Sequence, residues 1–378
     1  MQFRDLNKQY EKMKFEMDQA IGEVLGNGNF IGGVQIRNLE KELAEYVGVK
    51  HCITCGNGTD ALTMALMAWN IREGDAVFVP DFTFFASGEV VSFEGATPVF
   101  YDVDEKTYNA DIESLEKAIK EVAKEGKLRP KVIIAVDLFG LPADYVELEK
   151  VAKKYGLLLL EDGAQGFGGR IGELKACSFG DMATTSFFPA KPLGCYGDGG
   201  AIFTDDDQMA LYLQSVRAHG KSKDKYDNVR IGWNSRLDTL QAAVLQVKLR
   251  AFRDFELENI NSVAQKYMQL LGQYVVIPII PENYYSSWAQ FTIQLPNAEI
   301  RNGLQQFLKE FDIPSMIYYP KAMHKQSAFE GLKQYVSCKT TEKLCQTVLS
   351  LPMHPYLEDG QIEFISGKII EFIRYKKN

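Results

Sequence analysis

Residues 186–200 read Ser-Phe-Phe-Pro-Ala-Lys-Pro-Leu-Gly-Cys-Tyr-Gly-Asp-Gly-Gly, and the lysine of this run, Lys191, lies among apolar neighbours. A free lysine is protonated at neutral pH, whereas desolvation disfavours the ammonium form and frees the amine to act as a nucleophile or Schiff-base partner. Because Pro192 pushes the preceding residue towards extended backbone, Lys191 is expected in a turn or at a strand end, where its side chain projects into a cleft. A lysine in an ordinary hairpin loop could have similar neighbours in sequence. Whether Lys191 is functional therefore has to be inferred from the rest of the chain.

The sequence on both sides of this run alternates between strands and helices. Apolar runs bounded by turn residues predict strands at 51–54, 76–80, 97–103, 131–138, 157–161, 182–187 and 200–204. Helical segments between them lie at about 59–71, 84–93, 111–124 and 144–155. This alternation predicts an α/β fold with a mostly parallel central sheet covered by helices on both faces. Ligands of such sheets bind beyond the carboxyl ends of the strands, so the loops there are where chemistry is expected.

The remaining segments predict helices at the start of the chain and a second, smaller domain at its end. Helices are expected at 5–26 and 34–47, and residues 205–254 are interpreted as further helix. A helix at 256–272, a strand at 288–295 and helices at 299–311 and 359–375 then indicate an α+β unit. We therefore predict a large domain over residues 1–254 and a small C-terminal domain over residues 255–378.

Composition excludes several classes of protein. The 378 residues carry a net charge of −8, which argues against a nucleic-acid or anionic-membrane surface, and no apolar run reaches the roughly 20 residues of a spanning helix. The amino terminus lacks the apolar core of a signal peptide, so a cytoplasmic location is expected. Cys52 and Cys55 form a CxxC pair, but in a strand they would face opposite sides of the sheet. We predict buried free thiols and no metal site.

Four loop features fall where predicted strands end. Residues 55–62, Cys-Gly-Asn-Gly-Thr-Asp-Ala-Leu, lead into a helix whose N-terminus would bind a phosphate, although Thr59 would equally serve as a helix cap. Residues 80–87 hold three phenylalanines that would either join the core or offer a stacking face. Asp162 closes an apolar strand, where a carboxylate needs a cationic partner unless it only caps the next turn. With Ser186 and Lys191, these features supply a phosphate site, a stacking face, a carboxylate and a buried amine, which are the groups that bind pyridoxal phosphate.

The ordered motifs resemble those of the DegT/DnrJ/StrS family of pyridoxal-phosphate-dependent sugar aminotransferases, which have the aspartate-aminotransferase fold (fold type I). The resemblance covers essentially the whole chain. It is carried by Phe-Arg-Asp-Leu-Asn-Lys-Gln-Tyr at 3–10, Gly-Asn-Gly-Thr-Asp-Ala-Leu at 56–62, Glu-Asp-Gly-Ala-Gln at 161–165, the run around Lys191 and Asn-Ser-Arg-Leu-Asp at 234–238. It implies a large cofactor-binding domain and a smaller C-terminal α+β domain.

The resemblance also implies a role for each matching residue. Lys191 would hold the cofactor covalently and then move the proton, and Asp162 would be the partner of the pyridine nitrogen. Gln165 would bond the ring hydroxyl, and Phe84 would stack on the ring. The phosphate would be held by Thr59, the backbone N–H of Asp60, Ser186 and Asn234.

In the family, the asparagine that matches Asn234 comes from the neighbouring subunit, which implies a homodimer with shared active sites. The implied amino donor is glutamate, which leaves as 2-oxoglutarate, and the acceptor is a nucleotide-linked keto sugar. The motifs look most like those of enzymes that aminate C3 of UDP-linked 3-oxo-N-acetyl sugars, or their uronates, in surface-polysaccharide synthesis. Substrate contacts are expected from Phe30, Arg236, Tyr318, Tyr319 and His324.

Two departures leave the sugar open: Leu141 stands where glutamine is frequent, and Tyr318 where a uronate-aminating member has histidine. The nearest alternative is amination at C4 of a nucleotide-linked 4-keto-6-deoxy sugar. A non-catalytic regulator of the same fold is disfavoured because Lys191, Asp162 and Gln165 are all present. A sugar dehydratase is disfavoured because the dehydratases of this family have histidine in place of the lysine, and this chain keeps the lysine. A Rossmann oxidoreductase is set aside because the glycine spacing at 166–172 does not fit.

Overall fold

The computed structural model describes residues 1–224 and 226–377, and a seven-stranded sheet passes through its centre. The strands are β1 (His51–Cys55), β2 (Asp75–Pro80), β3 (Thr97–Tyr101), β4 (Arg129–Val136), β5 (Leu158–Asp162), β6 (Arg170–Ile171), β7 (Leu174–Lys175), β8 (Met182–Ser186), β9 (Gly200–Thr204), β10 (Tyr284–Tyr285), β11 (Phe291–Gln294) and β12 (Val348–Leu351). The large sheet has the order β1-β9-β8-β5-β4-β2-β3. Pairing is parallel from β8 across to β3, and β9 runs antiparallel to both of its neighbours. The predicted mostly parallel central sheet is confirmed.

Helices flank this sheet and form most of the C-terminal region. They are α1 (Leu6–Lys12), α2 (Lys14–Asn27), α3 (Val34–Val47), α4 (Gly58–Ala68), α5 (Ala86–Phe93), α6 (Ile112–Glu125), α7 (Tyr145–Tyr155), α8 (Asp207–Val216), α9 (Thr239–Ala251), α10 (Leu257–Leu271), α11 (Ala298–Glu310), α12 (Lys339–Thr347) and α13 (Asp359–Lys377). A π-helical turn, Phe252–Glu256, joins α9 to α10. None of the described helices is long and apolar enough to cross a membrane.

Amphipathic spacing explains how the helices cover the sheet. In α6 the buried residues are Leu115, Ala118, Ile119 and Val122, which recur at the intervals that place side chains on one face of a helix. The side chain of Asp111 caps the start of this helix by accepting the N–H of Ser114. The apolar face packs on the strands, and the polar face meets solvent.

The two faces of the sheet bury separate clusters of apolar side chains. Cys52 lies in the cluster that includes Leu43 and Phe203, whereas Cys55 lies in the cluster that includes Leu62. All six cysteines are buried and free, as predicted. The CxxC pair is therefore part of the core on both sides of β1.

A separate apolar cluster fills the C-terminal region. It is built from α10, α11 and α13 together with β11 and β12, which pair antiparallel. Side chains between α11 and α12, including Met323 and Phe329, pack instead with the cluster around the large sheet. The division of the chain at residues 254 and 255 remains a prediction.

The prediction of helix throughout residues 205–254 is wrong in its middle. α8 ends at Val216, α9 begins only at Thr239, and the described residues between them contain no helix. His219 and Gly220 both have positive φ values, 64° and 70°, and so turn the chain out of the helix. A Cβ on Gly220 would lie 1.9 Å from the carbonyl oxygen of Arg230, so only glycine allows the backbone at Arg230 to pack against residue 220. This irregular segment carries Asn234 and Arg236.

Smaller differences concern the ends of elements. The predicted first helix is divided at Met13 into α1 and α2, and the predicted strand at 288–295 is confined to β11. The small sheet of β10, β6 and β7 and the strand β12 were not predicted. Two-residue strands leave too short a pattern to detect in a sequence.

Candidate active site

A cavity of about 690 Å³ opens beyond the carboxyl ends of β4, β5 and β8, at the edge of the sheet where a ligand was expected. Eight of the predicted site residues line it: Thr59, Phe84, Asp162, Gln165, Ser186, Lys191, Tyr318 and Tyr319. These side chains come from five different segments of the chain. Their roles remain predictions, but the structure brings them to one place.

Lys191 lies in the turn that follows β8, as its proline neighbours predicted. Its backbone N–H donates to the carbonyl oxygen of Phe188 over 2.8 Å, which closes the turn and directs the side chain into the cavity wall. Burial lowers the pKa of Lys191, and the nearby carboxylate of Asp162 opposes that shift. The amine is therefore easier to deprotonate than an exposed lysine.

Asp162 is the last residue of β5 and is only 5% exposed. Its Oδ2 accepts a hydrogen bond from Ser87 Oγ at 2.8 Å, and its Oδ1 accepts the N–H of Ala164 at 3.2 Å. Burial raises the pKa of Asp162, and these bonds together with Lys191 act against the rise. Within residues 1–224 and 226–377, no basic side chain forms an ion pair with it. A buried carboxylate facing a cavity in this way is suited to a cationic ligand group.

The N-terminus of α4 and the end of β8 form one end of the cavity. Asn57 caps α4 by accepting the N–H of Asp60 at 2.8 Å, so the backbone donor predicted for a phosphate is already paired in this structure. A Cβ on Gly58 would lie 2.7 Å from the Cβ of Ser186. Glycine thus lets the helix start approach β8, and the hydroxyls of Thr59 and Ser186 line the space beside it.

Gln165 and two aromatic residues form another wall. The Oε1 of Gln165 accepts the N–H of Phe139 at 3.0 Å, and its Nε2 donates to the hydroxyl of Tyr319 at 3.1 Å. The ring of Phe84 lies 6.4 Å from that of Tyr319, yet Phe84 is 53% exposed although it borders the cavity. An aromatic face left uncovered at a cavity fits a planar ligand ring.

Asn234, Arg236 and Phe30 lie outside this cavity. Asn234 is exposed and its Oδ1 accepts from Arg236 Nη2 at 2.5 Å, while Phe30 is exposed near the start of α9. Their predicted contacts with cofactor and substrate stay predictions. A role of Asn234 in the neighbouring subunit would place it outside its own chain's cavity.

His324 is also absent from the cavity lining. Its Nδ1 lies 2.7 Å from Asp81 Oδ2 and its Nε2 lies 3.3 Å from Glu342 Oε1, with the buried thiol of Cys338 close by. The hydrogen bond with Asp81 raises the pKa of His324. The ring thus ties the segment after Pro320 to the end of β2, and its predicted contact with substrate stays a prediction.

Asp198 and Gln290 are polar lining residues that sequence reasoning did not predict for the site. Asp198 stood in the glycine-rich run already singled out, so its position could have been found there. Gln290 precedes β11 and reaches the cavity only because that region folds back onto the sheet, for which no local pattern gives a signal. Ser87 belongs to a quoted motif, but its bond to Asp162 was not anticipated.

A pair of buried carboxyl groups, Asp137 and Glu161, lies behind Asp162. Asp137 Oδ1 accepts from Tyr145 Oη at 2.8 Å and from the N–H of Ala143 at 3.0 Å. The oxygens of Glu161 accept two backbone N–H groups. Burial raises the pKa of both carboxyl groups, that of Asp137 to about 7, and the nearby carboxyl of Asp137 raises the pKa of Glu161 further. Both groups therefore bind protons more tightly in the folded protein than in the unfolded chain.

Replacing Asp137 by asparagine is expected to flatten the dependence of stability on pH. Raised carboxyl pKa values mean that the folded state binds more protons than the unfolded state, so stability falls as pH rises above about 4. Asp137→Asn removes one of the two titrating groups and, with it, the carboxyl charge that acts on Glu161. We expect the loss of unfolding free energy between pH 5 and pH 8 to shrink by about 1–3 kcal/mol, as measured by urea denaturation.

The contrasting variant is Asp137→Ala, which leaves the hydroxyl of Tyr145 and the N–H of Ala143 without an acceptor and should lower stability at every pH by about 2–4 kcal/mol. Equal pH slopes for wild type and Asp137→Asn would show that the pKa of Asp137 is not raised in the folded protein.

Comparison with known proteins adds independent information. The chain matches the model of the DegT/DnrJ/EryC1/StrS aminotransferase family over residues 11–370. It is 42% identical to the UDP-2-acetamido-2-deoxy-3-oxo-D-glucuronate aminotransferase of Pseudomonas aeruginosa, over 98% of this chain and 99% of the relative. It is 40% identical to the UDP-N-acetyl-3-dehydro-alpha-D-glucosamine 3-aminotransferase of Acidithiobacillus ferrooxidans, over 97% of this chain and 96% of the relative.

Among solved structures, a DegT DnrJ EryC1 StrS aminotransferase from Brucella abortus superimposes with a TM-score of 0.96. The two chains are 47% identical, and the match covers 98% of this chain and 99% of the other. The agreement in fold therefore extends over the small C-terminal region as well as the sheet.

Proposed function

Because the chain belongs to the DegT/DnrJ/EryC1/StrS aminotransferase family, we propose that it uses pyridoxal phosphate to move an amino group from glutamate to C3 of a UDP-linked 3-oxo-N-acetyl sugar. The observation that carries this proposal is that Lys191 and Asp162 line one cavity, the first with a lowered pKa and the second buried without a cationic partner among the described residues. The resemblance found in the sequence and the membership found by comparison agree.

The residues around the cavity fit pyridoxal phosphate. The start of α4 with the hydroxyls of Thr59 and Ser186 would hold the phosphate, because helix N-termini attract anions. The uncovered face of Phe84 would stack on the ring. Asp162 would accept the N–H of the protonated ring nitrogen, which would give this buried carboxylate a cationic group in direct contact.

When bound, pyridoxal phosphate supplies an electron sink for the carbanion that forms when a C–H bond beside the nitrogen breaks. Asp162 would keep the proton on the ring nitrogen, so that this sink stays effective. Lys191 Nζ, once free, would take the proton from the carbon that carries the nitrogen and return it at the other end of the transfer. Gln165 would hold the ring hydroxyl from the wall formed with Tyr319.

The proposed substrate class follows from the relatives. The names of both curated relatives specify a UDP-linked sugar with an oxo group at C3, and they differ in whether C6 is a carboxylate. Tyr318 and Gln290, on the cavity wall, are the candidates to meet the sugar. Both are uncharged, and a second subunit would add further groups.

We also propose that the enzyme is a homodimer with shared active sites. Asn234 lies outside its own chain's cavity, and exposed apolar side chains occur in the same region. These are Phe30, Ile31, Val34, Ile231 and Trp233. Such a group is typical of a surface that another chain covers. The cytoplasmic location remains a prediction from the sequence.

The test supplies glutamate with one keto sugar at a time and identifies the product by mass spectrometry and NMR. We expect amination of UDP-3-oxo-N-acetylglucosamine or its uronate, with the new nitrogen on C3. A dTDP-linked 4-keto-6-deoxy sugar serves as the matched alternative, and turnover of that substrate alone would exclude the C3 assignment.

A further inference from the structure

Two cationic side chains outside the cavity lining bond to the backbone around Lys191. Arg4, just before α1, donates through Nη2 to the carbonyl oxygen of Pro192 at 3.2 Å. Lys248, in α9, donates through Nζ to the carbonyl oxygen of Gly194 at 2.7 Å. We call residues 187–200 the lysine loop. It is thus held at two carbonyls, one directly after Lys191, by cations that do not line the cavity.

Lys248 is buried and Arg4 is half-buried, and a single carboxylate, that of Glu256, lies beside them. Lys248 is 1% exposed and lies 4.4 Å from the centre of the Tyr196 ring, and Glu256 is 3% exposed in the π-helical turn. Glu256 Oε1 already accepts hydrogen bonds from Gln9 and Tyr356. One terminal nitrogen of Arg4, Nη1, is buried without a hydrogen-bond partner. Positive charge therefore exceeds negative charge in this pocket.

Several charged groups act on this pocket and on Lys191. Burial lowers the pKa of Lys248 to about 8, with Arg4 acting in the same direction and Glu256 opposing. Two charged groups act on the amine of Lys191 in opposite directions. Asp162 favours its ammonium form, and Arg4 disfavours it. Arginine stays protonated in proteins, so its effect persists at every working pH. His354 also adjoins Arg4, but burial lowers its pKa to about 4, so it is neutral.

We propose that Arg4 and Lys248 are positioning residues that hold the lysine loop by its carbonyl oxygens and keep the freed amine of Lys191 a neutral base. Neither side chain touches the cavity, so they act through Lys191. The inference rests on the proposed function, because only a lysine that is released during each turnover needs to stay unprotonated.

The test titrates Lys191 in protein freed of cofactor. The rate of acylation of its amine is followed against pH by mass spectrometry of the peptide that contains it. We expect Arg4→Met to raise the midpoint by about half a pH unit or more, because a nearby positive charge is lost. Lys248→Met should also raise it, because a loop no longer held at Gly194 leaves the amine less buried. Arg4→Lys, which keeps the charge, should stay close to wild type.

Arg301→Met is the matched control. Arg301 is a buried arginine that, like Arg4, donates to backbone carbonyl oxygen, here of Cys345 and Val348, but it lies in the C-terminal region. It should leave the midpoint of Lys191 unchanged. The acid limb of the pH profile of kcat should move with the midpoint in the Arg4 and Lys248 variants, while KM for glutamate changes less than twofold.

An unchanged midpoint in both methionine variants would overturn the proposal, even if their thermal stability fell. A raised midpoint in Arg4→Lys as well would overturn the charge effect. If Arg4→Met does not fold, Lys248→Met and Arg4→Lys decide the question. Because the titration uses no sugar, its result is independent of which keto sugar is aminated.

Discussion

Lys191→Met is expected to lower the rate of amino transfer by at least about 10³-fold. The substitution removes both the amine that would hold the cofactor and the base that would move the proton, and proton transfer alone accounts for about 10²–10⁴. Methionine has a similar length and suits the apolar neighbours of the loop, so the fold should persist. The measurement is the rate of 2-oxoglutarate release with glutamate and a keto sugar. Borohydride reduction should fix the cofactor to the Lys191 peptide of wild type only.

The control for this variant is Lys175→Met. Burial lowers the pKa of Lys175 as well, but its Nζ donates to the carbonyl oxygen of Tyr46 and it does not line the cavity. Activity of Lys175→Met should stay within about twofold of wild type. Transfer by Lys191→Met at more than a tenth of the wild-type rate would show that another group is the base.

Local sequence signals predicted the parts of the site that depend on neighbouring residues. Lys191 was placed in a turn because prolines flank it, and Asp162 at a strand end because an apolar run precedes it. Both placements follow from backbone preferences over a few residues. At the start of α4 the helix was predicted but its cap was not: Asn57, rather than Thr59, caps it.

Groups that arrive from distant parts of the chain could not be predicted in this way. Gln290 reaches the cavity from the C-terminal region, and Lys248 reaches the lysine loop from a helix whose other buried residues are mostly apolar. From the sequence alone, a lysine in such a helix is predicted to lie on the surface, because its acceptor, the carbonyl of Gly194, is not known. Arg4 was part of a quoted motif, yet its bond to Pro192 spans 188 residues. Tertiary packing, which leaves no local pattern, decides these positions.

Asp162→Asn is expected to reduce amino transfer by about 10²–10³-fold while leaving the protein folded. Asparagine has the same shape and can still accept the N–H of Ala164 and pair with Ser87. It carries no charge, so it cannot keep a proton on the ring nitrogen, and the loss falls on stabilisation of developing charge. The measurement is kcat with saturating glutamate and keto sugar, at a cofactor concentration that saturates the variant.

The same substitution should stabilise the cofactor-free protein at pH 8. Burial raises the pKa of Asp162 in the folded state, so ionising this carboxyl costs more there than in the unfolded chain, and stability falls as pH rises. Removing the charge should raise the unfolding free energy on the order of 1 kcal/mol, as read from urea denaturation at pH 8. A higher unfolding free energy together with a lower rate of amino transfer would show that the buried charge of Asp162 lowers stability but is needed for activity.

Asp181→Asn provides the control, because Asp181 also accepts a backbone N–H, that of Leu159, but lies at the opposite end of β5. It should leave kcat unchanged and should not stabilise the protein. Cofactor-free Asp162→Asn that is less stable than wild type at pH 8 would mean that the buried carboxylate is already compensated by its hydrogen bonds. In that case a cationic ring nitrogen would no longer be needed to explain why this carboxylate faces the cavity.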